Sequence, residues 1–314
     1  MNEYQFSVLV LQYNPKYDLM KRTIMSILQQ KDINFEIVIA DDGSKEDFFE
    51  KLEAFFEENA FSNYVLVKNV QNQGTVKNVL SGLKKCSGKY VKCISPGDYL
   101  YNEQVLLKTY KKMEETQAGL LFGEMVFYSR DNDEIKIYNE RRPYQVDIYR
   151  ENDSLKIRKH LLIYQDNISG ASAFVRRDLL VNVMKKIEND VIYQEDVAFS
   201  MLTFMNEKLV CFDEYVVWYE YGGGISTSAV NKWTKILQND TLRYYYILER
   251  LYHKQKYVSR ALLFQRLEMK EGRIWKIVKT LLYPDRYVFR RKNISSGVVV
   301  KETPELLYLE RILR

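Results

Sequence analysis

Continuous apolar runs alternate with segments of helical period along the first 230 residues. The runs FSVLVLQ, FEIVIA, YVLVK and KYVKCI have no regular polar face, as expected for strands buried on both sides of a parallel sheet. Apolar residues recur at helical spacing between them, for example Met20, Ile24 and Ile27 after the first run. A helix near 103–116 and the strand LLFGEMVFY follow the fourth run. The pattern predicts an α/β fold with a mostly parallel sheet and right-handed crossovers.

Polar residues gather where the predicted strands end. They are Gln12, Tyr13 and Asn14 after the first strand, Asp41 and Asp42 after the second, and Asp98 after the fourth. Turn chemistry explains each group alone, with Ser44 as an N-cap for the next helix. Because ligands of such sheets bind outside the carboxyl ends of the strands, the three groups together predict a ligand site on one rim.

The turn after the first strand narrows the class of ligand. It reads LQYNPKYD and has neither the GxGxxG of a dinucleotide-binding fold nor a Walker lysine loop. A nucleotide would then be held through a divalent cation on a carboxylate, which gives a role to Asp98 in the turn Ser95-Pro96-Gly97-Asp98. This turn contains one acid, so we expect no second carboxylate to replace Asp98 if it is lost.

Charge is distributed unevenly along the chain, whose net charge is +5. Residues 231–293 carry 16 Lys or Arg and 5 Asp or Glu, a net +11, which leaves a net −6 over residues 1–230. We therefore expect two regions, 1–230 and a basic, Tyr-rich helical region 231–314. The basic helices favour an anionic membrane surface as partner, with packing on the first region, or between copies in a homo-oligomer, as alternatives. No motif of a nucleic-acid reader is present, so no nucleic-acid partner is expected.

Cysteine and histidine usage limits the site chemistry and the compartment. Three cysteines without a CxxC pair indicate buried thiols in a reducing compartment, and two histidines argue against a His-built metal site. The amino terminus lacks the basic start of a signal peptide, and no apolar run approaches about 18 residues. We expect a cytoplasmic protein, peripheral on the inner face of the membrane if the basic helices bind lipid.

Four segments in order, SVLVLQYNP, EIVIADDGSKED, NVQNQGTVKNVLSGLKKCSGKYVKCISPGDYL and YQEDVAFS, resemble family 2 glycosyltransferases of the GT-A fold over residues 5–230. The resemblance implies that Tyr13 stacks on the nucleotide base and that Asp41 contacts the base or ribose. It places Lys77 at the base, where the family more often has Arg, and assigns Asp98 to Mn²⁺ or Mg²⁺. Gly97 replaces the acid that contacts the ribose.

The same resemblance implies an inverting, metal-dependent transferase. Asp196, just before a predicted amphipathic helix whose N-terminus would keep it ionised, is the expected general base, and a plain N-cap is the alternative. Glu195 is expected to orient the loop or the acceptor, and Glu124 to accept from a sugar hydroxyl. The glycine run 222–224 is expected to form a lid, for which we name Gly223 with the phosphate donors Ser226 and Thr227.

The expected donor is a UDP-sugar, with transfer of hexosyl or N-acetylhexosaminyl type. The expected acceptor is a glycan or lipid-linked glycan of a surface polysaccharide such as capsule or O-antigen. Two alternatives stay open. One is another sugar-nucleotide enzyme, and the other is a non-catalytic membrane or scaffold module on a degenerate GT-A body.

Overall fold

A computed structural model describes residues 4–131, 134–222, 231–295 and 304–313. Its strands are β1 (Phe6–Gln12), β2 (Phe35–Asp41), β3 (Tyr64–Lys68), β4 (Tyr90–Ile94), β5 (Tyr99–Leu100), β6 (Leu120–Asp131), β7 (Glu134–Tyr138), β8 (Ala173–Arg176) and β9 (Leu209–Glu220). Its α-helices are α1 (Tyr17–Leu28), α2 (Phe49–Glu58), α3 (Thr75–Leu83), α4 (Val105–Thr116), α5 (Asp147–Arg150), α6 (Ser154–Lys159), α7 (Arg177–Ile187), α8 (Asn231–Tyr252), α9 (Val258–Glu268), α10 (Arg273–Leu282), α11 (Pro284–Ser295) and α12 (Leu306–Leu313). The predicted α/β class is confirmed.

The described strands form one mixed sheet in the order β3-β2-β1-β4-β8-β6-β9-β5, with β7 beside β6. The first four are parallel, as predicted. β8 is antiparallel to both β4 and β6, so β4 and β6 run in the same direction and end at the same rim. β9 runs parallel to β6, and its last residue, Glu220, therefore reaches that rim as well.

The sheet is covered on both faces, which is why its central strands are mostly apolar. All seven residues of β1 are buried. Val8 and Val10 face a core that includes residues of α1, α2, α4 and α12, while Leu9 and Leu11 face a core with α3, α7, α8 and α9. A Cβ on Gly82 of α3 would lie 2.3 Å from Leu9 Cδ1, so this glycine permits the close approach of helix and strand.

The carboxyl-terminal helices belong to both cores. Tyr244 and Leu248 of α8 are buried with the α3 and α7 side chains, whereas Leu309 and Ile312 of α12 are buried on the opposite face with α1. At about 1.5–3 kcal/mol for each fully buried large apolar side chain, these contacts contribute substantially to stability. None of the described helices combines the length and apolar character needed to cross a bilayer.

The start of α2 differs from the prediction. Phe48, not Ser44, stands at its N-cap, and no side chain caps the helix. Ser44 is used elsewhere: its N–H donates to Asp41 Oδ1 at 2.6 Å, and its Oγ accepts from Asn14 N–H at 2.8 Å. The residue that resembles a helix cap therefore braces the carboxyl ends of β1 and β2 instead.

Candidate active site

Gln12 and Asp41 are register partners at the ends of β1 and β2. Gln12 Nε2 donates to Asp41 Oδ2 at 2.8 Å, and both residues are buried. Gln12 Oε1 is also buried, and no described residue donates a hydrogen bond to it. Next to this pair the Tyr13 side chain is 50% exposed. This end of the rim thus offers an open aromatic face and an unused acceptor.

The neighbouring polar residues fix the loops. Asn14, at φ +46°, accepts from Lys45 N–H at 2.9 Å through Oδ1 and so joins the loops after β1 and β2. Asp42 accepts from the backbone N–H groups of Gln73 and Gly74 at 3.0 and 2.9 Å, which ties β2 to the start of α3. Lys77 lies in the first turn of α3 with its side chain exposed.

The turn after β4 is clamped from two sides. Thr23 Oγ1 donates to Asp98 O at 2.9 Å and accepts from Gly97 N–H at 3.1 Å, while Tyr128 OH donates to Gly97 O at 2.9 Å. Gly97 has φ +103°, a conformation that favours glycine. These bonds hold the largely buried Asp98 side chain at the rim.

A second carboxylate does stand at this turn, contrary to the expectation from the sequence. It is Glu220, whose backbone N–H donates to Asp98 Oδ1 at 3.2 Å. Burial raises the pKa of Asp98 to about 7, and the Glu220 charge acts in the same direction. Burial also raises the pKa of Glu220, with the charge of Lys16 opposing. In the sequence, the one indication of this second carboxylate is that Glu220 comes directly before a tyrosine and three glycines.

A buried lysine lies beneath the site. Lys92 of β4 is fully buried; its Nζ donates to Ala171 O and lies 4.8 Å from the ring centroid of Phe174. Burial lowers the pKa of Lys92 to about 8, and the Asp98 charge opposes this shift. In the sequence, this residue is indicated by a lysine within the otherwise apolar run of β4. The lysine places positive charge behind the carboxylates.

Glu195 and Asp196 occupy the first turn of a 3₁₀ helix, Glu195–Phe204, and do not precede an amphipathic α-helix as predicted. Gly170 N–H donates to Asp196 Oδ2 at 3.4 Å, and a Cβ on Gly170 would lie 3.2 Å from Glu195 Oε1. Burial raises the pKa of both carboxyls, and the Asp196 charge raises that of Glu195 further. The helix start does not hold the Asp196 pKa at its ordinary value, because desolvation outweighs the backbone amides that favour the anion.

The loop that carries this pair is held by helices on two sides. Ile192 O accepts from Val76 N–H of α3 at 3.0 Å. Asp240 Oδ2 of α8 accepts from the N–H groups of Ile192 and Tyr193 at 3.1 and 2.7 Å. Asp240 was missed in the sequence, although it lies on the apolar stripe of α8, four residues before the buried Tyr244.

The remaining predicted site residues are Glu124 and the residues of the expected lid. Glu124 of β6 accepts from both Nε and Nη2 of Arg141, the Nε bond measuring 3.1 Å, so its carboxylate is paired within the protein. The lid residues Gly223, Ser226 and Thr227 lie outside the described residues.

Carboxylates at the end of β4 have the chemistry that a hard divalent cation requires. Across the ranges that the structure describes, no three His, Cys, Asp or Glu side chains come together in a group that could hold a metal ion. Mg²⁺-type sites often use only one or two carboxylates, with substrate phosphates and water as further ligands. Asp98 at the rim fits such a site.

Comparisons with known proteins agree with this geometry. The profile of "Glycosyl transferase family 2" matches residues 7–182, more than half of the chain. An uncharacterized glycosyltransferase from Rickettsia bellii is 30% identical over 115 residues, which are 37% of this chain and 16% of that protein. The curated relatives are matched over less than half of their own length.

Two solved structures share the fold. S. aureus TarS 1-349 in complex with UDP-GlcNAc has a TM-score of 0.56 at 17% identity, covering 98% of this chain and 88% of that one. The mannosyltransferase PcManGT from Pyrobaculum calidifontis, in complex with GDP-Man and Mn²⁺, has a TM-score of 0.53 at 12% identity, covering 94% and 76%. The architecture is GT-A-like, as predicted.

Proposed function

The chain belongs to glycosyl transferase family 2, and on that premise we propose that it is an inverting, metal-dependent transferase. The donor is a nucleotide-sugar, UDP-linked in our proposal, and the acceptor is a glycan or lipid-linked glycan of a surface polysaccharide. One observation carries the proposal: Lys92 lies behind both Asp98 and the Gly170–Ser172 turn that contacts Asp196. A nucleotide side and an acid–base side therefore meet on one rim.

The nucleotide side is built to receive a base. The open face of Tyr13 can stack on it. The unused Gln12 Oε1 is buried and could accept from an N–H of the base after a local movement of the loop. Uracil and guanine both have such an N–H, so this contact is compatible with the proposed UDP-sugar and does not distinguish it from a GDP-sugar. Asp41 is held in place by Gln12, and Lys77 projects from α3 toward solvent at this side of the sheet.

The cation side rests on Asp98. Mn²⁺ or Mg²⁺ bound there would neutralise charge on the departing nucleoside diphosphate. Lys92, whose pKa burial lowers to about 8, contributes further positive charge near Asp98 at neutral pH.

The acid–base side rests on Asp196. Its carboxylate is favoured by backbone amides of Gly170 and Val197, whereas the charge of Asp196 raises the pKa of Glu195. Because backbone amides favour the anion of Asp196 and the Asp196 charge raises the pKa of Glu195, we assign the role of base to Asp196, which would take the proton of the acceptor hydroxyl. The carboxylate of Glu195 lies beside the Gly170 turn, where we propose that it orients the loop.

A donor panel with a base variant tests the proposal. Purified protein is given a set of nucleotide-sugars with Mn²⁺ or Mg²⁺, with water as the acceptor, and NMR follows nucleotide release and the anomer of the released sugar before it mutarotates. We expect turnover of one donor with inverted configuration, and a loss of about 10²–10⁴-fold in Asp196→Asn with donor binding intact. Asp190→Asn, an exposed acid on the same loop, is the control. No turnover with any donor would favour the non-catalytic scaffold.

We also propose that the carboxyl-terminal helices place the enzyme on anionic membrane. No residue of α10 is buried, and Ile274, Ile277 and Leu281 expose 73%, 56% and 74% of their surface along one side. The region is strongly basic, and each basic residue near an anionic surface contributes about 1 kcal/mol. An apolar stripe on a basic helix pair fits a lipid-linked acceptor better than a soluble one.

Vesicle co-sedimentation tests this placement. We expect binding to anionic vesicles at low salt, release at high salt and little binding to neutral vesicles. Charge reversal of Arg290, Arg291 and Lys292 should remove most of the binding. Binding that ignores salt and lipid charge, together with a dimer in analytical ultracentrifugation, would assign the stripe to a second copy instead.

A further inference from the structure

Glu220 lies where the turn after β4 lacks a side chain. A Cβ built on Gly97 would lie 2.6 Å from Glu220 Oε2, and the other atoms nearest to it, at 3.5 and 3.8 Å, are also those of Glu220. A side chain at position 97 and the present Glu220 carboxylate would therefore occupy the same space. The glycine at 97 is what allows an acid from β9 to reach this turn.

The approach is fixed by backbone pairing. Tyr99 pairs with Trp218 in β5–β9, and Tyr128 pairs with Glu220 in β6–β9. Tyr128 also donates its hydroxyl to Gly97 O, so the end of β9 and the turn share one partner. Glu220 thus meets Asp98 because of the sheet register, and its position does not depend on a flexible loop.

The two carboxylates have few partners within the protein. Of the described residues, none forms an ion pair with Glu220 or donates to its carboxylate, and none donates to Asp98 Oδ2. The backbone of Glu220 contacts Asp98, and the two partly desolvated carboxylates of these residues repel each other unless a proton or a cation compensates their charge. Oxygen ligands of this type and number suit Mn²⁺ or Mg²⁺.

We propose that Glu220 is the second protein carboxylate of the donor's divalent-cation site, reaching the turn from β9 through the space that Gly97 leaves open. The inference rests on the proposed function, because the cation is the one that accompanies the nucleoside diphosphate. It gives the site a protein ligand from β9 in addition to Asp98 of the turn. Metal affinity should then depend on two residues 122 positions apart in the chain.

The test measures metal binding directly. Mn²⁺ binding to the full chain is followed by electron paramagnetic resonance of the free ion, with and without UDP, for wild type and Glu220→Gln. Glu214→Gln removes an equal charge from an exposed part of β9, where Glu214 pairs with Lys108, and serves as the matched control. Circular dichroism and thermal unfolding confirm that each variant is folded.

We expect Glu220→Gln to weaken Mn²⁺ binding at least about tenfold, since even residues behind metal ligands have effects of that size. Asp98→Asn should weaken it similarly, and Glu214→Gln should not. Wild-type Mn²⁺ affinity in Glu220→Gln would overturn the proposal. So would an equal loss of UDP affinity in EDTA and in Mn²⁺, which would place Glu220 at the ribose.

Two further outcomes separate this inference from the function on which it rests. Tight UDP binding by wild type with no uptake of Mn²⁺ would overturn the cation site and leave a transferase. Absence of UDP, GDP and nucleotide-sugar binding in every condition would overturn the function itself.

Discussion

Asp240 of α8, in the carboxyl-terminal region, supports the loop that carries Asp196. Replacing Asp240 should lower both the free energy of unfolding and the rate of transfer, and the two effects can be measured separately. Asp240 is 1% exposed, and one of its oxygens accepts from two backbone N–H groups at 3.1 and 2.7 Å. Asp240→Ala leaves both donors without this acceptor. Hydrogen bonds to a charged group contribute about 1.5–3 kcal/mol each. Because the two bonds share one oxygen, we expect a loss of about 3 kcal/mol in the free energy of unfolding.

The catalytic effect should be larger than the fall in stability alone suggests. A displacement of about 1 Å in a reacting group can cost roughly a hundredfold in rate. We therefore expect kcat to fall by about that factor under conditions where Asp240→Ala is still folded, with little change in donor KM. Asp240→Asn keeps one oxygen acceptor and should lose less in both measurements.

Urea unfolding and steady-state transfer kinetics measure the two effects. Glu249→Ala removes an acid from the same helix, and among the described residues Ser259 alone donates a hydrogen bond to its carboxylate, so it is the matched control. An unchanged kcat in folded Asp240→Ala would refute the reasoning and reduce α8 to a packing element. A parallel rise in donor KM would also contradict it, because the described hydrogen-bond and ion-pair partners of Asp240 are Ile192, Tyr193 and Arg243, none of them assigned to the nucleotide side.

Three further outcomes are expected. Because the pKa of Asp98 is raised from 3.8 to about 7 in the folded protein, wild type in EDTA should lose stability as the pH rises from about 4 to 7. Urea unfolding should then show Asp98→Asn to be more stable than wild type at pH 8, by at most about 4 kcal/mol, and nearly equal at pH 4. Tyr13→Ala should weaken nucleotide binding by about 1–3 kcal/mol in calorimetric titration without changing thermal stability, since the ring is half exposed. Arg286→Met should lower the free energy of unfolding by about 2 kcal/mol, because the buried Arg286 donates to Ile163 O at 2.6 Å; an unchanged urea midpoint would contradict this.

Local patterns predicted the parallel half of the sheet well. FSVLVLQ and YVLVK match β1 and β3 residue for residue. β1 is buried at every position, as its continuous apolar run predicts, whereas β3 is the edge strand of the sheet and is only partly buried. The rule for parallel strand ends also predicted that Gln12 and Asp41 would lie together. The strands and the strand ends could be predicted because each depends on the residue types within one short segment of the sequence.

The missed features depend on pairings between distant segments. Glu220 reaches Asp98 only through the register of β9, and Asp240 reaches Tyr193 only because α8 packs across the loop. Neither neighbour can be read from the sequence around the residue. Ser44 shows the opposite error: its local pattern fits a helix cap, but the nearby Asp41 carboxylate and Asn14 N–H bind it instead. Local rules fail where tertiary partners compete for the same polar group.

The division among the carboxyl-terminal helices has a consequence for building chimaeras of this enzyme with its relatives. α8 and α9 are part of the core under the sheet, and exchanging them would exchange Asp240 together with the support of the base. The segment 269–272 leads from there into α10, which has no buried residue. A crossover in this segment would transplant the outward-facing α10, provided that the buried Arg286 of α11 is kept and α12 is retained on the opposite core. The proposed membrane contact and the proposed catalysis could therefore be recombined separately, but only with the junction about 50 residues beyond the end of the sheet.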